Sequence, residues 1–279
     1  MYKIINNKII IQNKKDFVPQ HILECGQIFR FEKIDKNYVV FSLDKKATII
    51  ETESNYEIVT NDIDYFINFF DLEHDYSSIK NKLINFNNEI LNNAVNYGYG
   101  IRILKQSPFE MIISFIISAN NNIPRIKSSI KKICEAYGKL IDNDYYAFPT
   151  LEDLSKANED FFKSVGLGYR ANYMVETLKL LKDIDFDNLK ILSTQDLRNE
   201  LMKLKGVGRK VAECIMLFGF NRLDVFPIDT WTKKVYNENF YVGDKNNNEI
   251  ANYFVDFFGH LSGYAQQYLY YWKQTTKSK

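Results

Sequence analysis

The spacing of hydrophobic positions changes character along this chain. In the first sixty residues the segments IFRFEKI (28–34), NYVVFSL (37–43) and ATIIETE (47–53) cluster or alternate β-branched and aromatic residues. Short polar turns separate them, Asp35-Lys36-Asn37 and Asp44-Lys45-Lys46, and the pattern predicts an antiparallel meander. At Asn61-Asp62 the period shifts. Ile63, Phe66, Phe69 and Phe70 follow helical spacing, as do Ile79, Leu83, Phe86 and Ile90. From Ser107 onward the pattern is almost wholly helical. Ser107-Pro108-Phe109-Glu110 combines a Ser N-cap, Pro at the first helical position and Glu at the third. The following MIISFIISA (111–119) is apolar on every side, which predicts a central helix ended by Asn120-Asn121-Asn122. Ile126, Ile130 and Ile133 share one face of a further helix stopping near Gly138, and Thr150 with Asp153 marks a weaker start. The expected fold class is α+β: a β-rich domain with flanking helices over residues 1–105, packed on an α-helical domain over 106–279.

Composition narrows the setting. A chain of 279 residues, 46% hydrophobic and 25% charged, buries a full core. No apolar run reaches the roughly eighteen residues of a membrane span, and the opening MYKIINNKII lacks a signal-peptide pattern, so a cytoplasmic protein is expected, nucleoid-associated in a prokaryote. Cys25, Cys134 and Cys214 are odd in number and scattered; no disulfide framework, metal site, iron–sulfur cluster or other cofactor is expected. With a net charge of only +1, nucleic-acid binding needs a local basic patch.

The stretch LMKLKGVGRKVAECIMLFGF (201–220) carries the candidate chemistry. Leu197, Leu201 and Leu204 mark one amphipathic helix; Val211, Cys214, Ile215 and Phe218 mark the next. Gly206-Val207-Gly208 forms the turn, two glycines that permit positive φ and close backbone approach. The second helix would present free N–H groups to a phosphate beside Lys203, Lys205 and Arg209. An αα-hairpin with solvated lysines fits the same letters. Nineteen residues after Lys210, the segment Phe226-Pro227-Ile228-Asp229-Thr230 places Asp229 after a Pro-containing loop and before a helix, where it could simply be an N-cap. A Lys and an Asp at the mouths of successive helices can also converge on one cleft.

A helix–hairpin–helix followed by a Gly/Pro-rich loop and an Asp resembles the DNA glycosylase superfamily of that name, whose members with Lys at the position of Lys210 are bifunctional. Asn120-Asn121-Asn122, LGYRA (167–171) and ECGQIFRF (24–31) narrow the resemblance to 8-oxoguanine DNA glycosylase, over about residues 20–272. The resemblance implies that Lys210 attacks the sugar and Asp229 stabilises its developing positive charge, with a Schiff base and β-elimination to follow. A lysine in a helix's first turn also sits where the macrodipole disfavours a positive charge. Base-contacting roles carry over to Gly26, whose carbonyl would accept the N7 hydrogen of the oxidised base, and to Gln266, Cys214 and Tyr270, the last replacing a Phe. Wedge and orphan-cytosine roles carry over to Asn120, Arg125, Tyr169 and Arg170, and DNA-backbone contact to Gly206, Gly208, Arg209 and Trp231. Trp231 stands where relatives have His; an indole packs on DNA or sugar but cannot titrate. His21, His74 and His260 match no motif. The implied partner is duplex DNA containing an oxidised guanine, bound by a monomer. Cousins acting on oxidised pyrimidines or adenine usually carry a four-Cys cluster that three scattered cysteines do not supply. Alkylation-type cousins lack the nucleophilic Lys, and a non-catalytic DNA-binding module needs neither Lys210 nor Asp229.

Overall fold

The computed structural model describes residues 2–142 and 145–276. Six strands, β1 (Tyr2–Ile5), β2 (Lys8–Ile11), β3 (Phe31–Ile34), β4 (Asn37–Ser42), β5 (Lys45–Glu51) and β6 (Tyr56–Thr60), form one antiparallel sheet in the order β1-β2-β6-β5-β4-β3. The meander therefore spans only β3 to β6. The opening residues add a hairpin, turned by Asn6 and Asn7, both at positive φ as a two-residue primed turn requires. The residues between β2 and β3 depart from the expected strand: α1 (Pro19–Leu23) starts on Pro19, and the chain from 24 to 30 is irregular. Register lines up Ile9, Ile58, Ile49 and Tyr38 across the sheet. This buried row packs with Phe17 and with Phe66, Phe69 and Phe70 of α2 (Ile63–Phe69) and its end.

Helices follow: α3 (Tyr76–Ile84), α4 (Glu89–Tyr97), α5 (Pro108–Ser118) and α6 (Ile123–Tyr137), then a small hairpin of β7 (Leu140–Asp142) and β8 (Tyr145–Tyr146). Next come α7 (Leu151–Leu154), α8 (Glu159–Ser164), α9 (Arg170–Leu181), α10 (Phe186–Ile191), α11 (Thr194–Met202), α12 (Arg209–Gly219), α13 (Thr230–Val235), α14 (Asn247–Phe258) and α15 (Ser262–Thr276). The periodicity of Ile79 to Ile90 belongs to two helices, because Asn87 turns at positive φ and Asn88 caps α4. Leu204 lies past the end of α11, buried in the hairpin turn.

As its all-round apolar pattern demands, α5 is buried from Glu110 to Ile117 and packs against α12. The expected capping box at its start does not form. Ser107 makes no side-chain cap bond, and Glu110 instead accepts from Arg30 Nη1 (3.3 Å) and the Leu43 amide (2.9 Å), latching the helical core to the sheet. That core also takes in Cys25, Phe29 and the apolar faces of α3 and α4, so packing ignores a divide at residue 105. Packing of α15 on α4 brings the last helix against the N-terminal loop after α1.

Candidate active site

Lys210 is the second residue of α12, and Asp229 caps α13. Asp229 meets both readings offered by the sequence. Its Oδ1 accepts from the amides of Trp231 (3.0 Å) and Thr232 (2.8 Å) and from Thr232 Oγ1 (2.9 Å), and the Asp229 amide returns a bond to Thr232 Oγ1. Among the described residues no hydrogen bond falls on its Oδ2. Asp229 and Lys210 line one cavity with Cys25, Gly26, Phe115, Cys214, Phe218, Pro227, Gln266, Gln267 and Tyr270. Among the described residues no ion pair within 4.0 Å joins Lys210 to Asp229, so the carboxylate does not clamp the ammonium. Lys210 Nζ lies 5.9 Å from the centre of the Phe115 ring.

Every residue expected to contact the base is thus in this cavity. Gly26 adopts φ +80°, and a Cβ there would come within 3.0 Å of Tyr270 Oη, so both conformation and space exclude a side chain. The Gly26 carbonyl accepts no hydrogen bond among the described residues. Gln266 is buried, not the solvated helix residue its composition would suggest, and its Oε1 has no partner. An orphaned buried acceptor is costly, and this one belongs to a residue that lines the cavity of Lys210 and Asp229. Burial raises the Cys214 thiol above its usual range, opposed by the nearby Lys210 charge. Tyr270 is likewise pushed up, by burial first and then by Asp229. The cavity measures about 60 Å³. A larger one, about 530 Å³, opens between β3, α6 and β8 around Lys127 and Cys134. Size therefore does not identify the site; the larger space also holds lysines and carboxylates, Lys127 and Glu32 among them, but none of the residues expected to contact the base.

The hairpin behaves differently at its two glycines. Gly206 needs its freedom: φ is +81°, and an added Cβ would run into the Tyr173 ring. Gly208 has an ordinary φ of −88°, and nothing lies within 4 Å of a Cβ there. Its bareness answers no demand of the chain itself. Arg209 is committed inward, with Nε on Glu213 Oε1 (2.8 Å), Nη1 on the Asn248 carbonyl (3.1 Å) and Nη2 on Asn252 Oδ1 (2.6 Å). It ties α12 to α14 and in this arrangement offers nothing to a phosphate. Lys210 also borders a second cavity of about 250 Å³, beside Gly208, Asn247 and Asn248. Trp231 is half-buried in the first turn of α13, with Lys234 Nζ 4.8 Å from its ring.

The four wedge and cytosine residues cluster at the starts of α6 and α9. Asn120 is exposed at φ +49° and Tyr169 is 56% exposed. Arg125 is exposed on the first turn of α6, where its amide is held by Asn122 Oδ1. Arg170 is buried, and its guanidinium donates to the carbonyls of Ala119 (2.6 Å), Asn120 (2.6 Å) and Leu167 (3.3 Å). Here it braces the Asn120 loop. Tyr173, which the sequence did not single out, packs edge-on to Tyr169 at 5.6 Å and covers Gly206, joining this cluster to the hairpin. Phe115 and Gln267 were also missed. Phe115 reads as one more core position of α5, and Gln267 as the neighbour of a glutamine already chosen.

Comparison with known proteins identifies the family. Residues 9–112 match the family model of the 8-oxoguanine DNA glycosylase N-terminal domain, and residues 113–258 match that of HhH-GPD superfamily base excision DNA repair proteins. The crystal structure of Clostridium acetobutylicum 8-oxoguanine glycosylase/lyase, in complex with duplex DNA containing cytosine opposite 8-oxoguanine, superimposes with a TM-score of 0.92 at 35% identity, covering 99% of this chain and 98% of that one. A probable N-glycosylase/DNA lyase of Methanothermobacter thermautotrophicus is 30% identical over 72% of this chain and 70% of its own length. The N-glycosylase/DNA lyase of Saccharomyces cerevisiae is 37% identical over 53% of this chain, a match spanning 44% of the yeast protein. Among the described residues no helix is long and apolar enough to cross a membrane. With family matches over both the sheet-bearing and the helical parts, and a lysine and an aspartate meeting in one buried cavity, this chain belongs to the 8-oxoguanine DNA glycosylase/lyase family of the HhH-GPD superfamily.

Proposed function

We propose that this chain extrudes 8-oxoguanine from duplex DNA opposite cytosine, excises it with Lys210 and then nicks the strand. The observation that supports this most is the convergence, in one cavity, of Lys210, the free Oδ2 of Asp229, the unpartnered Gly26 carbonyl and the orphaned Gln266 amide oxygen. The base must leave the stack to reach such a cavity. At about 60 Å³ the space is far below the ~300–1,000 Å³ of ordinary ligand pockets, so Tyr270 must swing off Gly26 as the base enters. In the proposed step the Lys210 amine forms a bond to the sugar's anomeric carbon as the glycosidic bond breaks, and the base departs with its electron pair and takes up a proton. Asp229 stabilises the positive charge that develops on the sugar. Ring opening yields the Schiff base; loss of a C2′ proton then expels the 3′ phosphate. Asn120 and Tyr169 fill the vacated stack, and Arg125 pairs with the two acceptors of the orphaned cytosine.

Borohydride trapping on a duplex with a single 8-oxoguanine tests the reading, with the lesion placed opposite each of the four bases. The expected result is a covalent adduct favoured opposite cytosine. Lys210→Gln should abolish it and slow excision by on the order of 10⁴-fold while duplex binding survives. Arg125→Ala should level the opposite-base ratios. No adduct with the intact protein would refute the lyase step, and unchanged ratios would refute the role of Arg125.

A further inference from the structure

Gly26 is the least constrained type of residue, yet the proposed reading asks its carbonyl to point in one direction. Both flanks of Gly26 are pinned. On the C-terminal side, Gln27 is fully buried: its Nε2 donates to the carbonyls of Ile22 and Arg102 (2.8 Å each), its Oε1 accepts from the Leu104 amide (2.9 Å), and its own carbonyl accepts from Gln106 Nε2 (2.8 Å). On the N-terminal side, among the described residues, a single side chain hydrogen-bonds the Cys25–Gly26 peptide. Gln267 Nε2 donates to the Cys25 carbonyl at 2.6 Å, reaching from α15 across 242 residues of sequence. Gln267 is 1% exposed and lines the cavity beside Gln266.

We infer that Gln267 is a positioning residue that sets discrimination between 8-oxoguanine and guanine by fixing the peptide that carries Gly26. The inference rests on the proposed reading of Gly26. The two bases present opposite polarity at N7, a hydrogen on the oxidised base and a lone pair on guanine. A carbonyl aimed at that atom attracts one and repels the other, so its aim is worth energy twice. Without the Gln267 donor the Cys25–Gly26 peptide loses its only side-chain anchor among the described residues, the φ of Gly26 is no longer held from that side, and the Gly26 carbonyl in the next peptide can turn away from both bases. Attraction to the lesion and repulsion of guanine then weaken together, and the ratio suffers more than either affinity.

The test compares Lys210→Gln protein, which holds the lesion without excising it, with the same protein carrying Gln267→Met. Met keeps the side-chain volume and removes the donor. Equilibrium binding is measured on two otherwise identical duplexes, with 8-oxoguanine or guanine opposite cytosine. The affinity ratio should fall about tenfold, the worth of one buried hydrogen bond, through weaker binding of the lesion duplex and equal or tighter binding of the guanine duplex. Retained affinity for the guanine duplex shows that the variant is folded; if Gln267→Met does not fold, Gln267→Ala takes its place. An unchanged ratio, or an equal loss on both duplexes, overturns the inference. If Lys210→Gln protein shows no preference for the lesion at the outset, the reading of Gly26 fails instead, and this inference falls with it.

Discussion

The two sides of the cavity were assembled in contrasting ways. Lys210, its hairpin and its helix lie within one unbroken stretch from Leu201 to Phe220, and Asp229 follows after a short loop. The opposite wall joins Gly26, from an irregular segment between β2 and β3, to Gln266, Gln267 and Tyr270 on the last helix. Chemistry on the first side depends on helix starts, which local sequence dictates. Recognition on the second depends on α15 packing against α4 and on buried amides that only the finished fold brings together. Perturbations of the first side should therefore separate cleanly into structural and chemical effects, whereas those of the second should not.

Asp229→Asn gives the largest expected effect and the sharpest form of this contrast. Asn caps a helix about as well as Asp, and its amide oxygen can accept from Trp231, Thr232 and Thr232 Oγ1 as Oδ1 does now. Thermal stability should stay within about 0.5 kcal/mol of the parent. Single-turnover excision should fall by on the order of 10²–10³-fold, because the charge facing the sugar is gone. A matching loss of stability and rate would mean that Asp229 serves mainly as a cap.

On the recognition side, Gly26→Ala should not separate in this way. Ala at φ +80° costs about 1–2 kcal/mol, and its Cβ presses on Tyr270. Melting temperature and excision should drop together, with excision down about 10- to 100-fold because Tyr270 and the carbonyl both shift. Normal excision in a folded Gly26→Ala protein would show that the wall is more forgiving than its geometry indicates.

These differences also mark what could be read from the sequence. Helix starts at Pro108 and Asp229, the hairpin glycines and the β-to-α change near residue 61 are local signals, and the structure bears each of them out in position. The β1–β2 hairpin was legible too, since Asn6-Asn7 between two isoleucine-rich runs is a turn signal, but the β reading was built on the later segments. Glu110 misled because a residue at the third helical position can cap its own helix or, as here, reach another layer; only the placement of Arg30 and Leu43 decides. The partners of Arg209 and Arg170 were hidden for the same reason. Arg209, read beside the hairpin as a phosphate contact, bonds to Glu213, Asn248 and Asn252, and Arg170, given a wedge or cytosine role by the resemblance, bonds to three backbone carbonyls.

The two hairpin glycines offer the smallest and most discriminating test. In the letters they are equivalent; in the structure only Gly206 sits at positive φ with Tyr173 filling the space of its missing side chain. Gly206→Ala should cost about 1–2 kcal/mol of stability and, by moving Tyr173, loosen Tyr169 as well. Gly208→Ala meets no atom within 4 Å and an ordinary backbone angle, so its melting curve should overlay that of the parent. If Gly208 is bare so that a DNA phosphate can approach the amides at the start of α12, its methyl should instead weaken duplex binding by a few-fold, about 1 kcal/mol. The loss should be the same with or without a lesion, because a phosphate contact carries no base information. A Gly208→Ala protein with parental affinity for duplex DNA would leave Lys210 on a hairpin that does not grip the backbone, and the phosphate would then have to be sought in the cavity beside Asn247 and Asn248.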